Sequence, residues 1–199
     1  MSAAHARVEE LRVLHPRDEA LRSARRFISI LEEANVTERI ELGGSLRRGV
    51  PFVKDIELVV IPRVTEETDL FGTVIGRRNH FYELLLDLRA TGVLQDRLDK
   101  DQRPHFGEKS QRCLFQGYAL DIFSATEDNF GLIYLLRTGP AKFSKAFVTQ
   151  HSDGGTYLPV GMRVEGGHLI DRSVKLRTPE ERDVFEAIGK EFIAPEDRL

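Results

Sequence analysis

Apolar residues recur at helical spacing across residues 16–33, where Ala20, Leu21, Ala24, Phe27, Ile28 and Leu31 fall on one face. Pro16 heads that run, where a missing N–H costs the helix nothing. The period then shortens. Residues 40–43 read as a short strand ending in glycines, and 56–61 as a strand nearly all apolar on one side, stopped by Pro62. Helical spacing returns over 79–90 with Phe81, Leu84, Leu85 and Leu88. The pattern predicts strands over 93–99 and 112–115, around a polar connection at 100–111, and a further strand over 118–124. Two helices follow, 129–137 and 141–150, split by Thr138, Gly139 and Pro140. Short strands are predicted at 157–159, 161–164 and 168–170, with Gly166-Gly167 as a hairpin signal. Thr178 predicts a helix N-cap, with Pro179 at the first position and Glu181 closing a capping box. A soft boundary is expected near Gly154-Gly155, and the chain has no internal repeat and no low-complexity segment.

The 199 residues are 41% hydrophobic and 31% charged, the profile of a folded globular chain rather than a disordered or collagen-like one. A single cysteine, Cys113, excludes an internal disulfide and fits a reducing compartment. No apolar run approaches the ~20 residues of a membrane span, so no membrane partner is expected. Residues 1–12 carry Glu9 and Glu10 and no apolar stretch, unlike a secretory signal. The net charge of −3 excludes a wholly basic nucleic-acid clamp but leaves room for a local basic face. The charge is uneven: 178–199 holds seven acids and three bases, whereas 129–152 holds Arg137, Lys142 and Lys145 and no acid. An anionic ligand would prefer the second stretch, although solvated surface charge explains such a run equally well.

The chemistry concentrates in Gly43-Gly44-Ser45-Leu46-Arg47-Arg48-Gly49 and the strand that opens Asp55-Ile56-Glu57-Leu58. A period of two sends Asp55 and Glu57 to one face while Ile56 and Leu58 enter the core. Two carboxylates so placed repel each other unless a cation lies between them. A hard ion such as Mg²⁺ takes carboxylate oxygens and leaves positions for phosphates and water. Asp121, between core-facing Leu120 and Ile122, is the candidate third acid of a two-metal site. Gly44 would let the backbone approach a phosphate closely, with the Ser45 hydroxyl and Arg48 as further donors. The bland alternative makes Ser45 an N-cap and leaves Arg47 and Arg48 solvated. His105 and His151 lack metal-ligand partners at useful spacing and read as surface histidines, and Cys113 as a small core residue. The mixed stretch 97–112, with Lys100, Arg103 and Lys109 inside it, reads as a template or primer contact or as ordinary surface; Pro104-His105-Phe106-Gly107 is its turn.

These residues resemble the nucleotidyltransferase superfamily and, within it, the family X DNA polymerases, the DNA polymerase beta family. The run from Gly44-Ser45 through Arg47-Arg48-Gly49 to Asp55 is similar to that family without a gap. Asp121 looks like its third catalytic aspartate, and Arg137-Thr138-Gly139-Pro140 resembles its Thr-Gly turn beside the incoming nucleotide. Residues 178–198 look like its C-terminal ending. The resemblance covers roughly residues 17–198 and implies an α+β fold: a palm with a mixed β-sheet flanked by helices (1–126) and a small lobe closing over the nucleotide (127–199). It further implies two Mg²⁺ ions, with Mn²⁺ as a substitute, held by Asp55, Glu57 and Asp121, the catalytic acids. Gly44, Ser45 and Arg48 would hold the triphosphate, and Arg137, Thr138 and Gly139 the nucleotide.

On that resemblance the expected activity is magnesium-dependent addition of dNMP to a primer 3′-hydroxyl, on primer-template or gapped DNA, in DNA repair. The expected protein is a DNA-binding monomer, cytoplasmic or nucleoid-associated, or of viral source. The length leaves no room for a lyase or helix-hairpin-helix module, so no lyase activity and no large DNA grip are expected. Three departures qualify the resemblance. The usual Asp-x-Asp is Asp55-x-Glu57, whose extra methylene moves the carboxylate by ~1.5 Å. Leu136-Arg137 stands where an aromatic pair is usual, which bears on sugar selection, and Ala119 replaces an arginine. Two other readings are a template-independent transferase acting on RNA, protein or a small molecule, and a non-catalytic nucleotide-binding protein. Retention of all three acids argues against the latter.

Overall fold

Strand β1 (His15–Pro16) runs directly into helix α1 (Arg17–Glu33) in the computed structural model, which describes residues 13–198. The stretch 1–12, read above as lacking a secretory signal, lies outside the described residues. Pro16 takes the N-cap position at φ −55°, and Asp18 and Glu19 occupy the first turn, where the helix dipole favours acids. Strand β2 (Thr37–Leu42) leads to the single-turn helix α2 (Gly44–Arg47), then β3 (Phe52–Val53) and β4 (Asp55–Pro62). A hairpin of β5 (Val64–Thr68) and β6 (Val74–Asn79) precedes α3 (His80–Ala90), which Asn79 caps by accepting the Tyr82 N–H at 3.0 Å. Strands β7 (Leu94–Asp96), β8 (Phe106–Gly107), β9 (Ser110–Phe115) and β10 (Tyr118–Ser124) follow, then α4 (Phe130–Thr138) and α5 (Ala141–Val148). The chain continues through β11 (Met162–Glu165), β12 (His168–Asp171) and β13 (Val174–Leu176) to α6 (Glu181–Ala187).

The fold is α+β around a mixed sheet of order β2-β4-β10-β9-β7, with β8 paired to β9. Only β4 and β10 run parallel; the other pairs are antiparallel. Even-numbered residues of the two parallel strands, Ile56, Leu58, Val60, Leu120 and Ile122, turn to one face. There they pack with Phe27 and Leu31 of α1 and Phe81 and Leu85 of α3. Odd-numbered residues face the other way. Val59 and Phe123 on that side are covered by Phe130 and Tyr134 of α4, which leaves the opposite end of the same face to Asp55, Glu57 and Asp121. Another core joins Leu132, Leu135, Phe143, Phe147, Leu169, Val184 and Phe185 around the three-stranded sheet of β11, β12 and β13. Among the described residues no helix is long and apolar enough to cross a membrane.

The structure differs from the sequence pattern at several places, among them β8, which pairs with β9 inside the expected connection 100–111. The β5–β6 hairpin was not expected, because every residue of β5 is exposed and no apolar alternation marks it. Residues 157–159 form no strand; Leu158 is buried in a loop, and the third strand of the small sheet is β13, where Val174 and Lys175 are exposed. Helix α6 begins at Glu181, with Glu180 at the N-cap and its N–H donating to the Asp183 carboxylate at 2.7 Å. Thr178 is not the cap: its N–H donates to the Asp128 carbonyl and its own carbonyl accepts the Gly131 N–H, so its backbone is committed to the start of α4. Gly154-Gly155, the expected soft boundary, lies within one core that joins Phe143 and Phe147 before it to Leu158 and Leu169 after it. The two glycine N–H groups bond back to His151 and Gln150, and a Cβ on Gly155 would lie 2.0 Å from the Thr149 carbonyl oxygen.

That Thr178 contact makes Gly131 a test of how α4 meets the segment before α6. A Cβ at Gly131 would lie 2.1 Å from the Glu180 carbonyl oxygen, a backbone atom that cannot rotate away. Gly131→Ala is expected to lower stability by about 2–3 kcal/mol in urea unfolding. Gly107→Ala, whose Cβ meets nothing within 4 Å, serves as the control. Equal midpoints for the two variants would rule out this close approach.

Candidate functional site

Parallel pairing of β4 and β10 sets Asp55 opposite Ala119 and Glu57 opposite Asp121. The period of two then aims all three acids at one face, and neighbouring strands lie only ~4.8 Å apart. Burial raises the pKa of the Glu57 carboxyl to about 8, with the Asp55 and Asp121 charges pushing the same way and Arg137 and Arg48 opposing. Asp55 is also raised, by burial first and by Asp121 second. Two carboxyls that burial and their acid neighbours keep from ionising together would be relieved by a cation. The hard oxygens of the three acids match the donor set of Mg²⁺ or Mn²⁺. Their side chains do not yet converge: among the described residues no three His, Cys, Asp or Glu groups stand together as a ready metal cluster. Two guanidiniums instead approach Asp121, Arg97 at 2.7 Å and Arg112 at 3.9 Å.

The glycine turn is built onto this row. The Gly43 N–H donates to the Glu57 carbonyl at 2.8 Å, which carries β2–β4 pairing one residue past the strand. Gly44 then turns at φ +57°, and a Cβ there would lie 1.9 Å from Glu57 Oε2. The left-handed backbone demands glycine, and a Cβ would also have to push the Glu57 carboxylate aside. Ser45 Oγ, in the following turn, is buried without a hydrogen-bond partner. The first N–H groups of a helical turn have no partner within it, so α2 offers backbone donors beside that hydroxyl.

Residues Arg137, Thr138 and Gly139 come to the same place from the end of α4. A Cβ on Gly43 would lie 3.3 Å from the Arg137 carbonyl oxygen. Arg48 Nη1 donates to the Thr138 carbonyl, and burial lowers the Arg48 pKa against the pull of Glu57. Arg137 lies over the Phe123 ring at 3.8 Å, and burial lowers its pKa too, again opposed by Glu57. Gly139 has no room for a side chain, since its Cβ would meet the Phe143 ring at 2.5 Å. Thr138 does not line an open pocket. It is fully buried, and its hydroxyl accepts from Arg47 Nη1 at 2.7 Å.

Arg47 is not solvated. Its guanidinium reaches both oxygens of Glu181, at 2.7 and 2.6 Å, and stacks on Tyr134 at 3.7 Å. Arg198 grips the same carboxylate from the other side, at 2.9 and 3.3 Å, and also donates to the Ile193 carbonyl. Burial alone would raise the Glu181 pKa, but the Arg47 and Arg198 hydrogen bonds outweigh it and hold the carboxyl below its ordinary value. Sequence reasoning missed this triad, as well as Arg97 and Arg112. The one signal for it, Glu181 behind Thr178-Pro179, reads locally as a cap. His105 bonds Ser110 at 2.7 Å on the surface, His151 lies in an exposed turn, and Cys113 is a core residue whose thiol burial pushes up to about 12. No protein-family model matches the chain, and no curated protein matches it.

Two measurements check the electrostatics. The folded Glu57 keeps a proton that the unfolded chain releases near its ordinary 4.5. Its contribution to stability is therefore full below that value and is lost as pH rises to about 8. In metal-free urea unfolding, Glu57→Gln is expected to gain about 2–4 kcal/mol on wild type between pH 5 and 8.5; parallel pH profiles would refute the shift. Glu181→Ala strands two guanidiniums and is expected to cost about 3–5 kcal/mol. A loss below about 1 kcal/mol, typical of a surface pair, would contradict the triad.

Proposed function

We propose that the chain is a nucleotidyltransferase of the family X DNA polymerase kind. It adds a nucleotide from a dNTP to a DNA primer 3′-hydroxyl and releases pyrophosphate. One observation carries the reading: a cation-seeking row of three carboxylates abuts a glycine turn whose Gly44 has no space for a side chain against Glu57. Metal coordination and close phosphate approach meet there. In this reading residues 1–126 are the palm and 127–199 the lobe over the nucleotide.

Asp55, Glu57 and Asp121 would hold two Mg²⁺ or Mn²⁺ ions. When bound, these supply a lowered hydroxyl pKa and neutralise charge on the triphosphate and leaving pyrophosphate. Asp55 and Glu57 sit nearest the glycine turn and face the polyphosphate side. Asp121, across the strand pair, faces the acceptor side. The Gly44 and Ser45 N–H groups, the unpartnered Ser45 hydroxyl and Arg48 bind the phosphates. Arg137, fixed between Phe123 and the field of Glu57, holds an anionic or polar edge of the nucleotide. Lys142, Lys145, Arg103, Lys109 and Arg112 are the phosphate contacts available to a nucleic acid.

The test is extension of labelled gapped, recessed and single-stranded DNA with dNTPs and with NTPs, in Mg²⁺ and in Mn²⁺. Wild type is expected to incorporate dNMP. Asp55→Asn and Asp121→Asn, each folded by circular dichroism, are expected to fall by about a thousandfold, the worth of ~4 kcal/mol of lost charge stabilisation. Wild-type turnover in either variant removes that residue from the mechanism. Incorporation of NTPs alone, or no incorporation on any acceptor, overturns the DNA polymerase reading.

A further inference from the structure

Asp121 differs from the other two acids in what covers it. Its Oδ1 is shut off from solvent and accepts no hydrogen bond. Arg97 closes it off: Nη2 lies 2.7 Å from Oδ1 as an ion pair, with the Arg97 side chain only 15% exposed and that of Asp121 10%. The sheet explains the placement. β7 pairs β9 with Asp96 opposite Cys113, and β9 pairs β10 with Arg112 opposite Asp121. One residue beyond Asp96, Arg97 therefore joins the cross-sheet row of Arg112, Asp121 and Glu57. Arg112 is the looser neighbour, half-exposed and 3.9 Å from Oδ2. Arg97 also lies in the field of Asp55, whose carboxyl it helps to keep ionised against burial.

We propose that Arg97 is an internal counter-ion that occupies the buried Oδ1 of Asp121 and must leave it before the acid row can bind a divalent cation. The inference rests on the metal-site reading given above. An oxygen sealed beneath a guanidinium has no open position for an ion that binds at ~2.1 Å. The strand register already sets Asp121 beside Glu57, so side-chain motion suffices to bring the acids together, and Arg97 is the group that stands in the way. In the cation-free protein Arg97 relieves the repulsion among three buried acids. Its departure brings that repulsion back, and a doubly charged ion offsets it. The apparent metal affinity is then reduced by the fraction of molecules in which Arg97 is off Asp121.

The experiment is Mn²⁺ titration of the nucleotide-free full chain, with bound ion read by electron paramagnetic resonance. Arg97→Ala is expected to tighten the site by about tenfold, and Arg97→Gln, retained in case the alanine variant folds poorly, in the same direction. Arg112→Ala should change it by no more than about threefold, as for an exposed charge. Asp121→Asn should weaken binding and cancel the Arg97→Ala gain, because nothing is left for Arg97 to cover. In nitrogen-15 spectra of wild type, the Arg97 side-chain Nε–Hε signal should move as Mg²⁺ saturates. Affinity that is independent of Arg97, an equal gain in the Asp121→Asn background, or an unmoved Arg97 signal would overturn the inference while leaving the metal site standing. Absence of Mn²⁺ binding in wild type and Arg97→Ala alike would overturn the metal-site reading, and the inference with it.

Discussion

Glu181 is a buried carboxylate shared by two guanidiniums, and the arrangement of the glycine turn depends on it. Arg47 arrives from the turn after β2, Glu181 opens α6, and Arg198 comes from the C-terminal end of the described chain. A buried ion triad is seldom more stable than a well-packed apolar cluster of the same volume, but removing one member leaves charges stranded. Here it also fixes direction. Arg47 and Arg48 are consecutive on a helical turn and so point about 100° apart. With Arg47 committed to Glu181 and stacked on Tyr134, Arg48 is turned toward Thr138 and the acid row. One arginine thereby holds the turn to α6 while the next faces the acid row.

The acid row shows the complementary logic. A net charge of −3 over the chain conceals a local balance in which Arg48, Arg97, Arg112 and Arg137 surround Asp55, Glu57 and Asp121. Burial raises both Asp55 and Glu57, so the row is short of positive charge even with these neighbours. Under the proposed function, the acids would take a cation and the arginines at their margin would take phosphate, so that one ligand bringing both would satisfy the row. Neither charge sign alone accounts for the arrangement.

Glu57 and Asp121 were legible in the sequence because each sits between residues that must be buried, Ile56 and Leu58 around one and Leu120 and Ile122 around the other; Asp55 follows exposed Lys54 and is placed by its spacing of two from Glu57. Strand periodicity then leaves the acids one direction to face. Gly44 was legible as a turn, and its left-handed backbone requires glycine; its closeness to the Glu57 side chain is a contact no local pattern contains. The helices over 17–33, 80–90, 130–138 and 141–148 follow from apolar spacing, whereas the mixed sheet was expected only from the family resemblance. The β5–β6 hairpin does not follow from that spacing, because it buries nothing: Leu70 and Phe71 at its tip are almost wholly exposed. The Arg47–Glu181 pair joins positions 134 residues apart, and at each end a local reading was available, solvated arginine or helix cap. Arg97 stood in a stretch of mixed charge where only the β7–β9–β10 register singles it out.

Thr138 is the point at which these constraints meet. Its hydroxyl accepts from Arg47 and its carbonyl from Arg48, so both arginines of the turn end on the last residue of α4. The core built on α4, α5 and α6 is thereby tied to the glycine turn between β2 and β3 through two charge-assisted hydrogen bonds, each worth about 1.5–3 kcal/mol. Any rotation of α4 against that turn must break or re-aim them. A ligand that drew Arg48 onto its own phosphates would release one bond and leave the Arg47 bond as the pivot. The energetic difference between two positions of the covering segment would then be set at Arg48, the residue that also faces the ligand. Under the proposed function, ligand occupancy and the placement of α4 would be coupled through that one hydrogen bond.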